Sequence, residues 1–207
     1  MKTTQPLLIV FCGPNGAGKS TFRQIALEGL PIPFVNADEI ALREFGPTEA
    51  AARSYEAAQI AEAVRLELFA ARRSFCFETV LSDPHGAKVD FLRQAKASGY
   101  HVAAHFIGLE SAEHSKARVI QRVHTGGHDV PDDKLAARFP RVLENLQRLL
   151  DVPDELVIYD NSSSETPYRV IARLNRGVLL EIADTIPDWA LLLGLPARQT
   201  PQTRVLP

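Results

Sequence analysis

The stretch Gly13-Pro14-Asn15-Gly16-Ala17-Gly18-Lys19-Ser20 decides how the rest of this sequence is read. It satisfies the pattern G-x-x-x-x-G-K-[ST] at every position. Small residues let the backbone close around a di- or triphosphate with its N–H groups turned inward. A helix beginning near Gly18 adds the positive end of its dipole. Lys19 is then placed to reach the β- and γ-phosphates. The Ser20 hydroxyl can ligate Mg2+, a hard cation that takes oxygen ligands and keeps several waters.

Immediately before this loop, Leu7-Leu8-Ile9-Val10-Phe11-Cys12 is a continuous apolar run and reads as a strand buried on both faces of a parallel sheet. Further strands are expected at Phe34-Val35, Ser74–Glu78, Val102–Leu109, Leu156–Tyr159 and Val178–Ile182. Helical patterns separate them: Thr21–Leu30, the alanine-rich Thr48–Arg73, Gly86–Ser98 closed by Gly99, and a helix from Ser111 to Thr125. A last apolar stripe, Leu135, Phe139, Val142, Leu143, Leu146 and Leu149, contains Pro140, which should kink the helix or split it. Strands alternating with helices predict an α/β fold of the P-loop NTPase type, a parallel sheet of five to six strands flanked by helices. One domain over residues 1–195 is expected, with 196–207, which holds three prolines, as a loosely held tail.

Composition removes several function classes. The longest uninterrupted apolar run noted, Leu7–Cys12, is far short of the roughly 20 residues a membrane-spanning helix needs. The opening residues Met1–Pro6 show no signal-peptide pattern, so a cytoplasmic location is expected. Cys12 and Cys76 each lie inside an apolar run and read as buried free thiols. A net charge of −2 with no concentrated basic run argues against a protein that tracks a nucleic-acid backbone, such as a polynucleotide 5′-kinase. The chain lacks the N-K-x-D motif of switch GTPases and the L-S-G-G-Q signature of transporter ATPases.

What remains is the pattern of a small-molecule kinase. Such an enzyme needs a carboxylate near the γ-phosphate to take the acceptor hydroxyl's proton. In parallel sheets, ligand groups gather at the carboxyl ends of the strands. Asp38 and Glu78 stand at two such ends; Asp38 could equally cap the following helix. Positive charge must also close over the transferring group. Arg118–Arg141 supplies it: Arg122 precedes the Gly126-Gly127 pair and a polar run, a composition that suits a helical lid, and Arg138 and Arg141 share a helix face beyond it. His124 and His128 are four apart, but the intervening glycines break the helix that would align them on a metal. Asn161, after the fifth expected strand, lies where an adenine ring sits in folds of this type.

The chain resembles the zeta toxin family of bacterial phosphate-loop kinases, in its compact branch. The resemblance is carried by Gly13–Thr21, Val35–Ile40, Phe77–Ser82, Arg122-Val123 with Gly126–Pro131, Arg138, Asn145-Leu146 and Tyr159–Ser162, in that order. It implies an ATP- and Mg2+-dependent phosphotransferase with Lys19, Asp38, Glu78, Arg122 and Arg138 as its catalytic set. Asp38 would be the base, Glu78 would hold the acceptor, and the two arginines would neutralise phosphate charge. It further implies a small hydroxyl-bearing substrate, UDP-N-acetylglucosamine in well-known members, and a small helical antitoxin as partner. An ATP-binding switch without a small acceptor is the alternative.

Overall fold

The computed structural model describes residues 5–124 and 131–195. Its centre is β1 (Leu7–Cys12), whose residues Leu8 to Cys12 are all buried. β2 (Phe34–Val35), β3 (Phe75–Thr79), β4 (His101–Gly108) and β5 (Glu155–Asp160) join it as parallel neighbours. β6 (Arg169–Asn175) and β7 (Val178–Ile182) extend the sheet antiparallel, giving the order β2-β3-β1-β4-β5-β6-β7. After β1 the chain moves outward and returns as β3 on one side, then crosses to β4 on the other. The end of β1 is therefore a point where the strand order reverses, the place where open α/β sheets bind ligands.

Alternation along the strands sorts the core. Leu8, Val10 and Cys12 join Phe75, Phe77, Phe106 and Ile158 on one face, packed with residues of α3 (Ser54–Ala70), α4 (Ala87–Ala97) and α6 (Asp132–Leu149). Ile9, Phe11 and Cys76 point the other way, against Phe22 of α1 (Lys19–Ala26). The buried Tyr100 closes the first layer, its hydroxyl reaching the carbonyls of Leu68 and Phe69 at the end of α3 and that of Arg73 beyond it, at 3.1 Å. Both cysteines are buried and free, and no helix among the described residues is long and apolar enough to cross a membrane.

Three expectations are corrected and one alternative is settled. The sheet has seven strands: β6 was not foreseen, and it pairs with β7 through Arg176-Gly177, whose φ values of 48° and 78° give the two left-handed residues of a tight hairpin. α2 (Ala37–Glu49) occupies the region before the alanine-rich pattern, bent at Gly46, and α3 begins only at Ser54. Pro140 does not divide α6, which runs as one helix because its stripe of Leu135, Val142, Leu146 and Leu149 is buried throughout. Asn36, not Asp38, caps α2, its Oδ1 accepting from the N–H groups of Asp38 and Glu39. Ser111 does receive the N–H of His114 at the start of α5 (Ala112–His124).

His105 of β4 makes folding sensitive to acid. Its ring stacks on Phe11 at 5.3 Å, and Nδ1 is 3.3 Å from the Tyr159 hydroxyl. Burial lowers its pKa from 6.5 to about 4. Between those values the unfolded chain takes up a proton that the folded one refuses, so stability falls as pH drops through this window and levels off below it. The contribution is about 1.4 kcal/mol per unit of separation. His105→Phe should flatten this part of the acid slope, seen as a smaller difference in urea midpoint between pH 4.5 and 7.5 than in the unaltered protein.

Candidate active site

The loop after β1 depends on one close approach. A Cβ on Gly13 would lie 2.0 Å from the Ile107 carbonyl oxygen, so only glycine lets the chain leave β1 beside β4. α1 then begins at Lys19 behind Gly18, with no side chain capping its first turn. Those N–H groups stay available to an anion.

Lys19 is buried, and its Nζ donates to the Pro14 carbonyl at 2.9 Å. Burial lowers its proton affinity, and Glu78, whose Oε1 lies 3.8 Å away, opposes that effect. Arg122 and Asp38 also act on this ammonium, the first against its charge and the second in favour of it. Glu78, at the end of β3, accepts at Oε2 from Ser20 Oγ at 2.8 Å and from Asn36 Nδ2 at 3.3 Å. Three elements, the loop, β3 and the cap of α2, thus meet on one carboxylate.

Two cavities open at this edge of the sheet. The first, about 470 Å3, is lined by Gly16, Gly18, Lys19, Ser20, Thr21 and Glu78, with Arg118, Gln121 and Arg122 of α5 opposite. The second, about 620 Å3, is lined by Thr79–Asp83 after β3, by Ala58 and Lys88, and by Asp133, Lys134, Ala137, Arg138 and Arg141 of α6. Glu78 and Thr79, consecutive on β3, face one cavity each. Leu81 holds a left-handed φ of 61° in the wall of the second cavity, and Asn145 of α6 donates to the carbonyls of Leu81 and Asp83 at 2.9 and 2.8 Å.

The structure therefore brings Lys19, Ser20, Thr21, Glu78 and Arg122 together, and places Arg138 with Arg141 in the neighbouring cavity. Asp38 is exposed on the first turn of α2, near Lys19. Asn161 is buried behind the loop, donating to Ala17 O at 2.9 Å and accepting from Tyr168 N–H at 3.2 Å. The polar run between Arg122 and Pro131, including His128, lies outside the described residues except for Val123 and His124. The sequence reading gave no role to Asn36 and Asn145, although both lie in stretches that carry the resemblance, and it did not single out Tyr168. Asn36 carried a usable signal, since asparagine before an acidic first turn is a strong helix cap. A metal would fit the donor set: Ser20 Oγ and the Glu78 carboxylate are hard oxygens side by side, as magnesium requires. Among the described residues no cluster of three His, Cys, Asp or Glu side chains offers a dedicated metal cage.

The comparisons agree with this geometry. The zeta toxin family model matches residues 1–170. An uncharacterized protein of Haemophilus influenzae is 30% identical over 133 residues, 63% of this chain and 91% of its own. Among solved structures, one from the PezAT chromosomal toxin-antitoxin system of Streptococcus pneumoniae superposes with a TM-score of 0.59 at 17% identity, covering 84% of this chain and 72% of its own. The AvrRxo1-ORF1:-ORF2 complex with ATP superposes with a TM-score of 0.65 at 19% identity, covering 93% and 63%. At these identities the two structures establish the shared fold, while the family match spans the phosphate loop, both carboxylates and the arginine-bearing helices: this chain belongs to the zeta toxin family.

Proposed function

We propose that the protein is an ATP- and Mg2+-dependent phosphotransferase that moves the γ-phosphoryl group of ATP to a hydroxyl of a small anionic acceptor. The observation that carries this reading is the placement of Lys19 and Glu78 together in a cavity suited to phosphates, with Thr79, the next residue on β3, lining a second cavity of mixed charge. In the first cavity Lys19 and the free amides of the α1 turn bind the β- and γ-phosphates, with Arg122 facing them. Magnesium, when held by Ser20 with Glu78 beside it, supplies charge neutralisation on the same oxygens. Asn161 supports the loop from behind.

The acceptor lies in the second cavity. Lys88, Lys134, Arg138 and Arg141 outnumber Asp83 and Asp133 there, which suits a substrate bearing phosphate or carboxylate groups. A UDP-amino sugar has this chemistry. Asp38 takes the proton from the acceptor hydroxyl, whose oxygen attacks the γ-phosphorus as the bond to the β–γ bridging oxygen breaks, releasing ADP. Arg138 neutralises charge from the acceptor side. The family and the toxin-antitoxin neighbour support a small helical antitoxin as a regulatory partner.

Three measurements test this. Labelled ATP incubated with sugar nucleotides, nucleosides and small alcohols should yield a phosphorylated product among the anionic acceptors, read as a mass shift; a product confined to uncharged alcohols would overturn the acceptor assignment. Lys19→Ala should lower turnover by roughly 100- to 1,000-fold or more, as for other lost transition-state charges. Asp38→Asn should bind ATP with unchanged affinity and lose transfer; parallel loss of both would make Asp38 a structural residue.

A further inference from the structure

A phosphate-binding loop works only if its N–H groups point at the ligand, and something must hold them there. In a trans peptide the carbonyl of one residue and the N–H of the next point in opposite directions. Fixing a carbonyl outward therefore aims the following amide inward. Three loop carbonyls are held in this way, whereas Pro14 O turns toward the cavity and takes Lys19 Nζ at 2.9 Å. Asn15 O takes the hydroxyl of Ser115, a buried residue of α5, at 2.7 Å. Ala17 O takes Asn161 Nδ2 at 2.9 Å. Gly18 O takes the Tyr168 hydroxyl at 3.0 Å besides the N–H of Phe22 in α1. The amides opposite the three outward carbonyls belong to Gly16, Gly18 and Lys19. The Gly16–Ala17 peptide shows no such tether on its carbonyl among the described residues, and its N–H turns back to Pro14 O at 3.3 Å.

Of the three tethering side chains outside the loop, Ser115 comes from α5 and Asn161 and Tyr168 from the connection between β5 and β6, and none of them is in the lining of the phosphate cavity. Tyr168 is held in a conformation that tyrosine seldom takes, with φ of 53°. Its N–H bonds to Asn161 Oδ1, and its ring lies 5.0 Å from that of Phe22. Asn161 is anchored in turn by its own N–H on Gly108 O at 3.0 Å. The fit at Gly18 is close: a Cβ there would meet the Tyr168 hydroxyl at 2.8 Å and Asn161 Nδ2 at 2.9 Å.

We infer that Ser115, Asn161 and Tyr168 are positioning residues for the phosphate loop: by gripping three carbonyls from outside the cavity, they pre-set the amides that bind the polyphosphate. The inference rests on the phosphate-loop reading above and adds residues that act through the backbone without touching the nucleotide. Preorganised donors bind an anion without first reorganising, so loosening one tether should weaken polyphosphate binding selectively.

The test compares inorganic tripolyphosphate, ATP and adenosine by titration calorimetry on the full chain. Tyr168→Phe keeps the ring and removes the hydroxyl's bond to Gly18 O together with its interactions with Thr21 and Asn161. It should weaken tripolyphosphate and ATP by the same roughly 3- to 10-fold and leave adenosine unchanged, with the urea midpoint little moved. Ser115→Ala should act in the same direction. Asn161→Leu should cost more, but it also orphans the Tyr168 N–H, so the Tyr168 and Ser115 variants decide the matter. Unchanged tripolyphosphate affinity in both would overturn the inference, as would an equal loss for adenosine. Lys19→Ala separates the two levels: if it too leaves tripolyphosphate binding intact, the loop is not a phosphate site and the inference falls with that reading.

Discussion

The fold is organised around one buried ammonium. Lys19 sits at 6% exposure, inside a ring of backbone and carboxylate oxygen. A charge removed from water is tolerated only when hydrogen bonds and an opposite charge replace its hydration. Pro14 O and Glu78 do so, and each constrains its element. The first curls the loop back over its own lysine. The second requires β3 to end beside β1, which the parallel register Cys12↔Thr79 ensures. The buried strand pair is thus the scaffold for the charge, and the charge fixes where the strands may stop.

This arrangement also divides the site. Side chains on a strand alternate, so consecutive residues at the end of β3 must serve opposite sides. Glu78 turns to the first cavity and Thr79 to the second one. The arginines follow the same division from above. Arg122 belongs to α5 over the loop, whereas Arg138 and Arg141, one turn apart on α6, stand over the other cavity. Lys116 and Asp132 join the two helices by an ion pair at 2.6 Å, so the arginines of both cavities sit on one pair of contacting helices.

Local chemistry made part of this legible in the sequence. The phosphate loop is a contiguous motif, and β1 is an unbroken apolar run, so both could be read from neighbouring residues alone. Glu78 could be placed because parallel strands deliver their ends to one edge, whereas Asp38, expected at a strand end as well, stands in the first turn of α2. Other features depend on partners distant in the chain. Asn161 and Tyr168 reach Ala17 and Gly18 across 144 and 150 residues, and no local pattern announces such bonds. β6 escaped notice because only part of it is buried and its turn, Arg176-Gly177, is a weaker hairpin signal than Asn-Gly. Pro140 misled for the opposite reason: its local penalty is real, but burial of the α6 stripe outweighs it.

Asn36 shows how a small correction changes the chemistry of the site. Had Asp38 been the cap, its carboxylate would have been occupied by backbone amides and poorly suited to accept a proton. Asn36 takes that task with Oδ1 and spends its Nδ2 on Glu78. One amide side chain therefore fixes the first turn of α2 relative to the carboxylate that faces Lys19. The proposed base is displaced two residues along that turn, on the solvent side, where an acceptor hydroxyl can approach it. The line from Lys19 through Glu78 and Asn36 ends on the backbone N–H of Asp38. It fixes the main chain of the first turn of α2 relative to Lys19 and leaves the Asp38 carboxylate exposed beside it.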